Sequence, residues 1–182
     1  MIPVGYMAKH VSRRPDWLKA DRVADIYSVS NCVSNEFADY INFWKHNGYW
    51  FFDSTEIIRE VAKEHSLGLT DTSLFYYEVY ELEFDENKGF WDPFASDPSF
   101  KTQVVEPMTK HLEGYDVVTF YVNTTPECSP LSCNSLAEEI ETNEHCLLSS
   151  FDLAKRMLEQ GAFKNTEPGP FRIFAVYSVQ WP

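Results

Sequence analysis

Residues 52–68 read FDSTEIIREVAKEHSLG, and residues 148–161 read LSSFDLAKRMLEQG. In the first, Ile57, Ile58, Val61 and Ala62 recur at helical spacing with Glu56, Arg59, Glu60 and Lys63 turned outward. In the second, Phe151, Ala154, Met157 and Leu158 do the same. Asp53 and Glu56 have the spacing of a capping box, while Gly68 and Gly161 stand where helices end. Two amphipathic helices follow, and they align with each other: Ile57 on Leu153, Ile58 on Ala154, Val61 on Met157.

The flanks extend the match. SNEFADYI at 34–41 parallels CNSLAEEI at 133–140, and YEVYEL at 77–82 parallels FAVYSV at 174–179. Tyr80 to Asp85 alternates apolar and acidic residues, as a strand with one wet face does. Val117 to Val122 and Phe171 to Val179 are β-branched and aromatic runs, the second apolar on both faces and hence central. Phe37, Tyr40, Ile41 and Trp44 form a further helical stripe. Ser135 and Glu138 cap a short helix, and Pro107 opens another that stops at Gly114. The expected fold is therefore α+β: two repeated β-α-β-α-β units with a mixed or mainly antiparallel sheet, related by a pseudo-two-fold axis. The alternative is a three-layer α/β sheet. The units span 25–85 and 116–182, with a basic segment at 1–24 and a connection at 86–115 carrying a short helix, all in one globular domain.

Charge narrows the function classes. Lys9, Arg13, Arg14, Lys19 and Arg22 crowd the first 22 residues, yet the chain carries a net −13. Between Lys110 and Lys155 there is no Lys or Arg, against Glu113, Asp116, Glu127, Glu138, Glu139, Glu141, Glu144 and Asp152. Such a surface repels phosphate backbones, so nucleic acid is not the expected partner. The longest aromatic patch, Tyr49-Trp50-Phe51-Phe52, is far too short for a bilayer, and no leader-type apolar run opens the chain. The expectation is a soluble cytoplasmic protein, monomer or homodimer, with no membrane partner. Its four cysteines are then expected to be buried, metal-binding or reactive rather than disulfide-bonded.

Chemistry concentrates in PECSPLSCNS at 126–135, followed by His145-Cys146. The corresponding loop of the first half carries Cys32 and reads as the shorter of the two. One reading is zinc, with Cys128, Cys133, His145 (or Cys146) and Cys32 as donors, although Cys-x4-Cys followed by His145 is not a standard spacing. Another makes Cys133, two residues before the expected N-cap Ser135, a thiolate nucleophile with His145 as base and Glu127 or Glu144 orienting it. Against this, acidic neighbours disfavour a thiolate. Plain burial of the cysteines competes with both. No glycine-rich phosphate loop, Gly-x-Ser-x-Gly elbow, His-Glu-x-x-His or calcium loop is present. The expected function is an acidic binding or inhibitory protein, of the immunity-protein class by analogy alone. It holds a basic protein partner through Glu127, Glu138, Glu139, Glu141, Trp44, Tyr49 and Trp50, with no required cofactor. The alternative is a small-molecule enzyme with a Cys/His or zinc site in 126–146.

Overall fold

In a computed structural model of the chain, which describes residues 1–37, 47–94, 103–120 and 126–182, strand Phe171–Val179 is the axis of one antiparallel sheet. In chain order the strands are β1 (Ile2–His10), β2 (Ser12–Arg13), β3 (Asp25–Ile26), β4 (Asn35–Glu36), β5 (Ser73–Val79), β6 (Leu82–Asp85), β7 (Phe90–Pro93), β8 (His111–Thr119) and β9 (Phe171–Val179). The α-helices among the described residues are α1 (Thr55–Glu64), α2 (Pro130–Cys133) and α3 (Phe151–Glu159). β9 pairs with β8 along one side, and along the other with β5 and then, through Phe84 and Phe171, with β6. β1 lies outside β5 and is capped by the short β4; β7 lies outside β6; β2 and β3 pair separately. Among the described residues no helix is long and apolar enough to cross a membrane.

The apolar run of β9 has a simple cause: its alternate side chains feed two hydrophobic clusters. Phe174 and Val176 join Val4, Tyr6, Phe52, Phe75 and Tyr77, where α1 adds Ile58, Val61 and Ala62. Phe171 and Ile173 join Leu18, Ile26, Leu136 and Leu148, where α3 adds Ala154 and Leu158.

Among the described residues the two β-α-β-α-β units are not present; the fold is mainly an antiparallel sheet with few helices. Nor is it a three-layer α/β sheet. The strands that open each half are β1 and β8, which the sequence reading assigned to the basic segment and largely to the connection. β1 escaped because Gly5 and Lys9 break its apolar pattern. Of the helix expected from Pro107 to Gly114, residues 107–110 are an irregular lead and 111–114 already belong to β8, with Gly114 at φ 152°. Of the stripe through Trp44, Phe37 is a buried core residue, and Tyr40, Ile41 and Trp44 lie outside the described residues. After Ser135 there is only a three-residue 3-10 turn, and Ser135 itself is left-handed. Ser54, rather than Asp53, is the N-cap of α1. Asp53 instead accepts hydrogen bonds from Asn47 Nδ2 at 2.8 Å and the Gln103 amide at 2.9 Å.

One smaller construction does occur twice. Asn47 Nδ2 donates to Val4 O, while its Oδ1 accepts from the amides of Tyr49 and Phe51; Phe52 then bridges Tyr6 of β1. Asn143 Nδ2 donates to Glu113 O, its Oδ1 accepts from the amides of His145 and Leu147, and Leu148 bridges Tyr115 of β8. Trp50 and Cys146, at matching positions, are both left-handed at φ 68° and 62°. Gly5 and Gly114 are required where the loop meets the strand: a Cβ would lie 2.5 Å from Phe52 O and 2.8 Å from Leu148 O. By these landmarks Tyr77, the partner of Gly5, stands where Val176 partners Gly114, two residues from the sequence alignment with Phe174. A strand repeats its faces every two residues, so a two-residue slip leaves the pattern unchanged.

Each asparagine satisfies two amides and one carbonyl, so removal strands three backbone groups. Asn143→Ala and Asn47→Ala should each cost about 2–4 kcal/mol in urea unfolding; a loss below about 1 kcal/mol would show that water replaces them freely.

Candidate functional site: a three-cysteine cluster beside a buried lysine and aspartate

Lys9, near the end of β1, is fully buried. Its ammonium donates to the carbonyls of Ser28, Val29 and Ser30 at 2.7, 3.1 and 2.6 Å, using all three protons. Asp116 of β8 is also buried; its Oδ2 accepts from the Val29 amide at 2.8 Å and from Ser129 Oγ at 2.6 Å. Ser129 Oγ in turn accepts the Ser30 amide at 3.2 Å. Burial lowers the Lys9 pKa, opposed by the charges of Glu36, Asp116 and Cys32. Burial likewise pushes Asp116 up to about 6, opposed by Ser129, the Val29 amide and Lys9. The result is a polar knot that fastens segment 28–30 to two strands and to residue 129.

Cys32 follows that knot by two residues. Its thiol donates to Glu127 O at 3.0 Å. The turn of α2 begins at Ser129, and the Cys133 amide bonds Ser129 O at 3.0 Å. That turn folds Cys133 back to Cys128, and the two form a disulfide. The expectation that these cysteines avoid disulfide bonding is thereby corrected: a four-residue spacer closing on one helical turn brings their sulfurs together. The sulfurs of Cys32, Cys128 and Cys133 all lie within 4.8 Å of one another, a group that could hold a metal ion. Cys32 is exposed, Cys133 half-buried and Cys128 buried. Asn134 Oδ1 stands 3.4 Å from Cys128 Sγ and 3.8 Å from Cys133 Sγ.

His145, read as a fourth donor or as the base for Cys133, is not in this group. Its Nδ1 is 2.6 Å from Asp25 Oδ1 and its Nε2 3.6 Å from Glu113 Oε2, and its ring stacks on Tyr27 at 4.0 Å. The carboxylates beside it are thus Asp25 and Glu113 rather than Glu127 or Glu144. Burial, then Asp25, Glu113 and Glu144, raise the Tyr27 hydroxyl pKa. Cys133 ends α2 instead of preceding a helix, so no run of free helix amides faces its sulfur. Cys146 is buried, and burial pushes its thiol up to about 12. Cys32 is delivered by the excursion 11–34, between β1 and β4.

The acidic residues named for a basic partner divide. Glu138 Oε1 accepts the Lys19 amide at 2.8 Å, and Arg22 donates to the carbonyls of Ala137, Ile140 and Thr142. The chain's own basic segment thus docks on this acidic stretch. Glu139 and Glu141 are exposed. Glu127 donates its amide to Thr119 O beside the cysteines. Tyr49 packs edge-on against Phe94, and Trp50 belongs to the Asn47 turn; Trp44 lies outside the described residues.

Lys9, Asp116, Ser129 and Asp25 carried no site signal in sequence. The nearest was Asp116 opening a β-branched run, where a charge has no ordinary place. Compared with models of known protein families, with curated proteins and with solved structures, the chain has no match.

Lys9→Met should destabilise the protein by about 3–5 kcal/mol, because three carbonyls and a buried carboxyl lose their cation; a neutral result in urea unfolding would refute the knot's role. Asp116 sets a pH dependence. The folded state holds its proton more tightly than the unfolded chain, so its contribution is fully present below the ordinary value of 3.8 and lost as pH rises through about 6. Asp116→Asn keeps an oxygen for Val29 and Ser129 and should flatten that fall; an unchanged slope would contradict the assignment.

Proposed function

We propose that this protein is a thiol-based redox switch whose reduced cysteines hold zinc and whose oxidised cysteines release it. The carrying observation is that Cys32, from a segment distant in sequence, brings a third sulfur within 4.8 Å of both Cys128 and Cys133. A disulfide needs two sulfurs and plain burial needs none, whereas soft metal sites are built from three or four. Thiolates bound tetrahedrally at about 2.3 Å from zinc stand roughly 3.8 Å apart, within the reach of this group. Reduction of the Cys128–Cys133 bond frees two ligands, and Asn134 Oδ1 stands beside the remaining position. Oxidation joins Cys128 to Cys133, withdraws two of three donors and leaves Cys32 alone, too weak a site to keep the ion. Metal occupancy then reports the redox state. The long loop read as a seat for chemistry becomes the moving part.

The test is elemental mass spectrometry on protein without an affinity tag, desalted after zinc addition. Reduced anaerobically, it should retain about one zinc per chain. Oxidised protein, Cys32→Ser and Cys128→Ser should each retain much less. Retention by none of the forms, or equally by all, would overturn the reading.

A further inference from the structure

We propose that Cys32 is the thiol through which oxidising equivalents reach the Cys128–Cys133 pair, the external reactant being a low-molecular-weight disulfide. The inference rests on the same three-cysteine site as the reading above, but needs no metal.

Three observations carry it. The cysteines form a burial gradient, with Cys32 exposed, Cys133 half-buried and Cys128 buried. The free thiol is the exposed one, yet its sulfur stays within 4.8 Å of both bonded sulfurs. Its segment is also anchored by the Lys9 contacts to residues 28–30, and its thiol is oriented by a hydrogen bond to Glu127 O. Thiol–disulfide exchange requires a thiolate to approach a sulfur along the bond to be broken, so access decides which thiol meets a reagent from solution. Cys128 offers little access. Cys32 offers the most.

The steps balance. The Cys32 thiolate attacks the external disulfide; one sulfur–sulfur bond breaks, a mixed disulfide forms on Cys32, and the first small thiolate leaves and takes up a proton. The Cys133 thiolate then attacks the Cys32 sulfur, expelling the second small thiol and forming Cys32–Cys133. Last, the Cys128 thiolate attacks the Cys133 sulfur, forming Cys128–Cys133 and returning Cys32 to the thiol. Two protein thiols are oxidised, one external disulfide becomes two thiols, and Cys32 emerges unchanged. The final exchange favours Cys128–Cys133 because their sequence separation of 5 closes the smallest loop. With an excess of small thiol the sequence runs backwards.

The experiment follows re-oxidation of fully reduced protein by oxidised glutathione, with a chelator present so that zinc takes no part. Cys32→Ser should form the Cys128–Cys133 bond at least about tenfold more slowly than wild type, while ending with the same disulfide. Wild-type protein alkylated at Cys32 in its oxidised form, where Cys146 is shielded by burial, should show the same slowing without any substitution. The Cys128→Ser/Cys133→Ser double variant, which cannot resolve the adduct, should accumulate one glutathionyl group, mapped to Cys32. Wild-type rates in both blocked proteins, or an adduct on Cys133 forming as fast without Cys32, would overturn the proposal. Zinc retention is measured separately, so either reading can fail while the other stands.

Discussion

The buried Lys9 ammonium is the constraint on which the rest of the site depends. Taking a lysine and a carboxylate out of water costs several kcal/mol per ion, and only full hydrogen bonding with charge pairing offsets it. Lys9 reaches that state by collecting three successive carbonyls, which a peptide can present only when segment 28–30 curls tightly over the end of β1. Asp116 supplies the opposing charge from β8 and holds the Val29 amide. Strands from the two halves of the chain therefore meet on one short loop. Replacing the pair by apolar residues of equal volume would keep the burial and lose the geometry.

Two further pins reinforce that loop. His145 lies against Asp25 and stacks on Tyr27, while Arg22 and Lys19 dock on the turn after α2. The excursion 11–34 is thereby fastened to the second half at its basic stretch, at its aromatic ring and at its buried carbonyls. These contacts run mostly through backbone groups: Lys19 gives its amide to Glu138, and Arg22 its guanidinium to three carbonyls. Cys32, at the far end of this fastened segment, inherits a fixed position that its exposure alone would not provide.

The sheet gives those pins something rigid to hold. β9 is buried on both faces and paired on both sides, and the two asparagine turns tie the segments before α1 and α3 onto β1 and β8. The cysteine loop leaves β8 beside Thr119, near the rigid centre, but α2 is only one turn long. A short turn on a stiff base can trade a disulfide for separated thiols without disturbing the core. That is the mechanical requirement of a redox-gated metal site.

Several elements were legible in the amino-acid order alone. α1, α3 and β9 follow from local periodicity, because a helix or a strand buried on both faces prints its pattern on its own residues. The choice of Cys32, Cys128 and Cys133 as a group able to hold a metal followed from residue chemistry, and their sulfurs do lie together. β1 did not follow, since Gly5 is there for the close approach of Phe52 and Lys9 for carbonyls some twenty residues away. Asp53 looked like a cap because its spacing was right, yet its partners Asn47 and Gln103 come from loops on either side of it in the chain. His145 looked like a ligand because it neighbours the cysteines in sequence, and folding turns it towards Asp25 and Glu113 instead. Periodicity is a local property, so sequence determined α1, α3 and the central strand, but not the one-turn α2, and it offered helices after Pro107 and Ser135 that do not form. Pairing of charges, of sulfurs and of strand edges is decided by what the fold brings within a few ångströms, and only the tertiary structure could settle it.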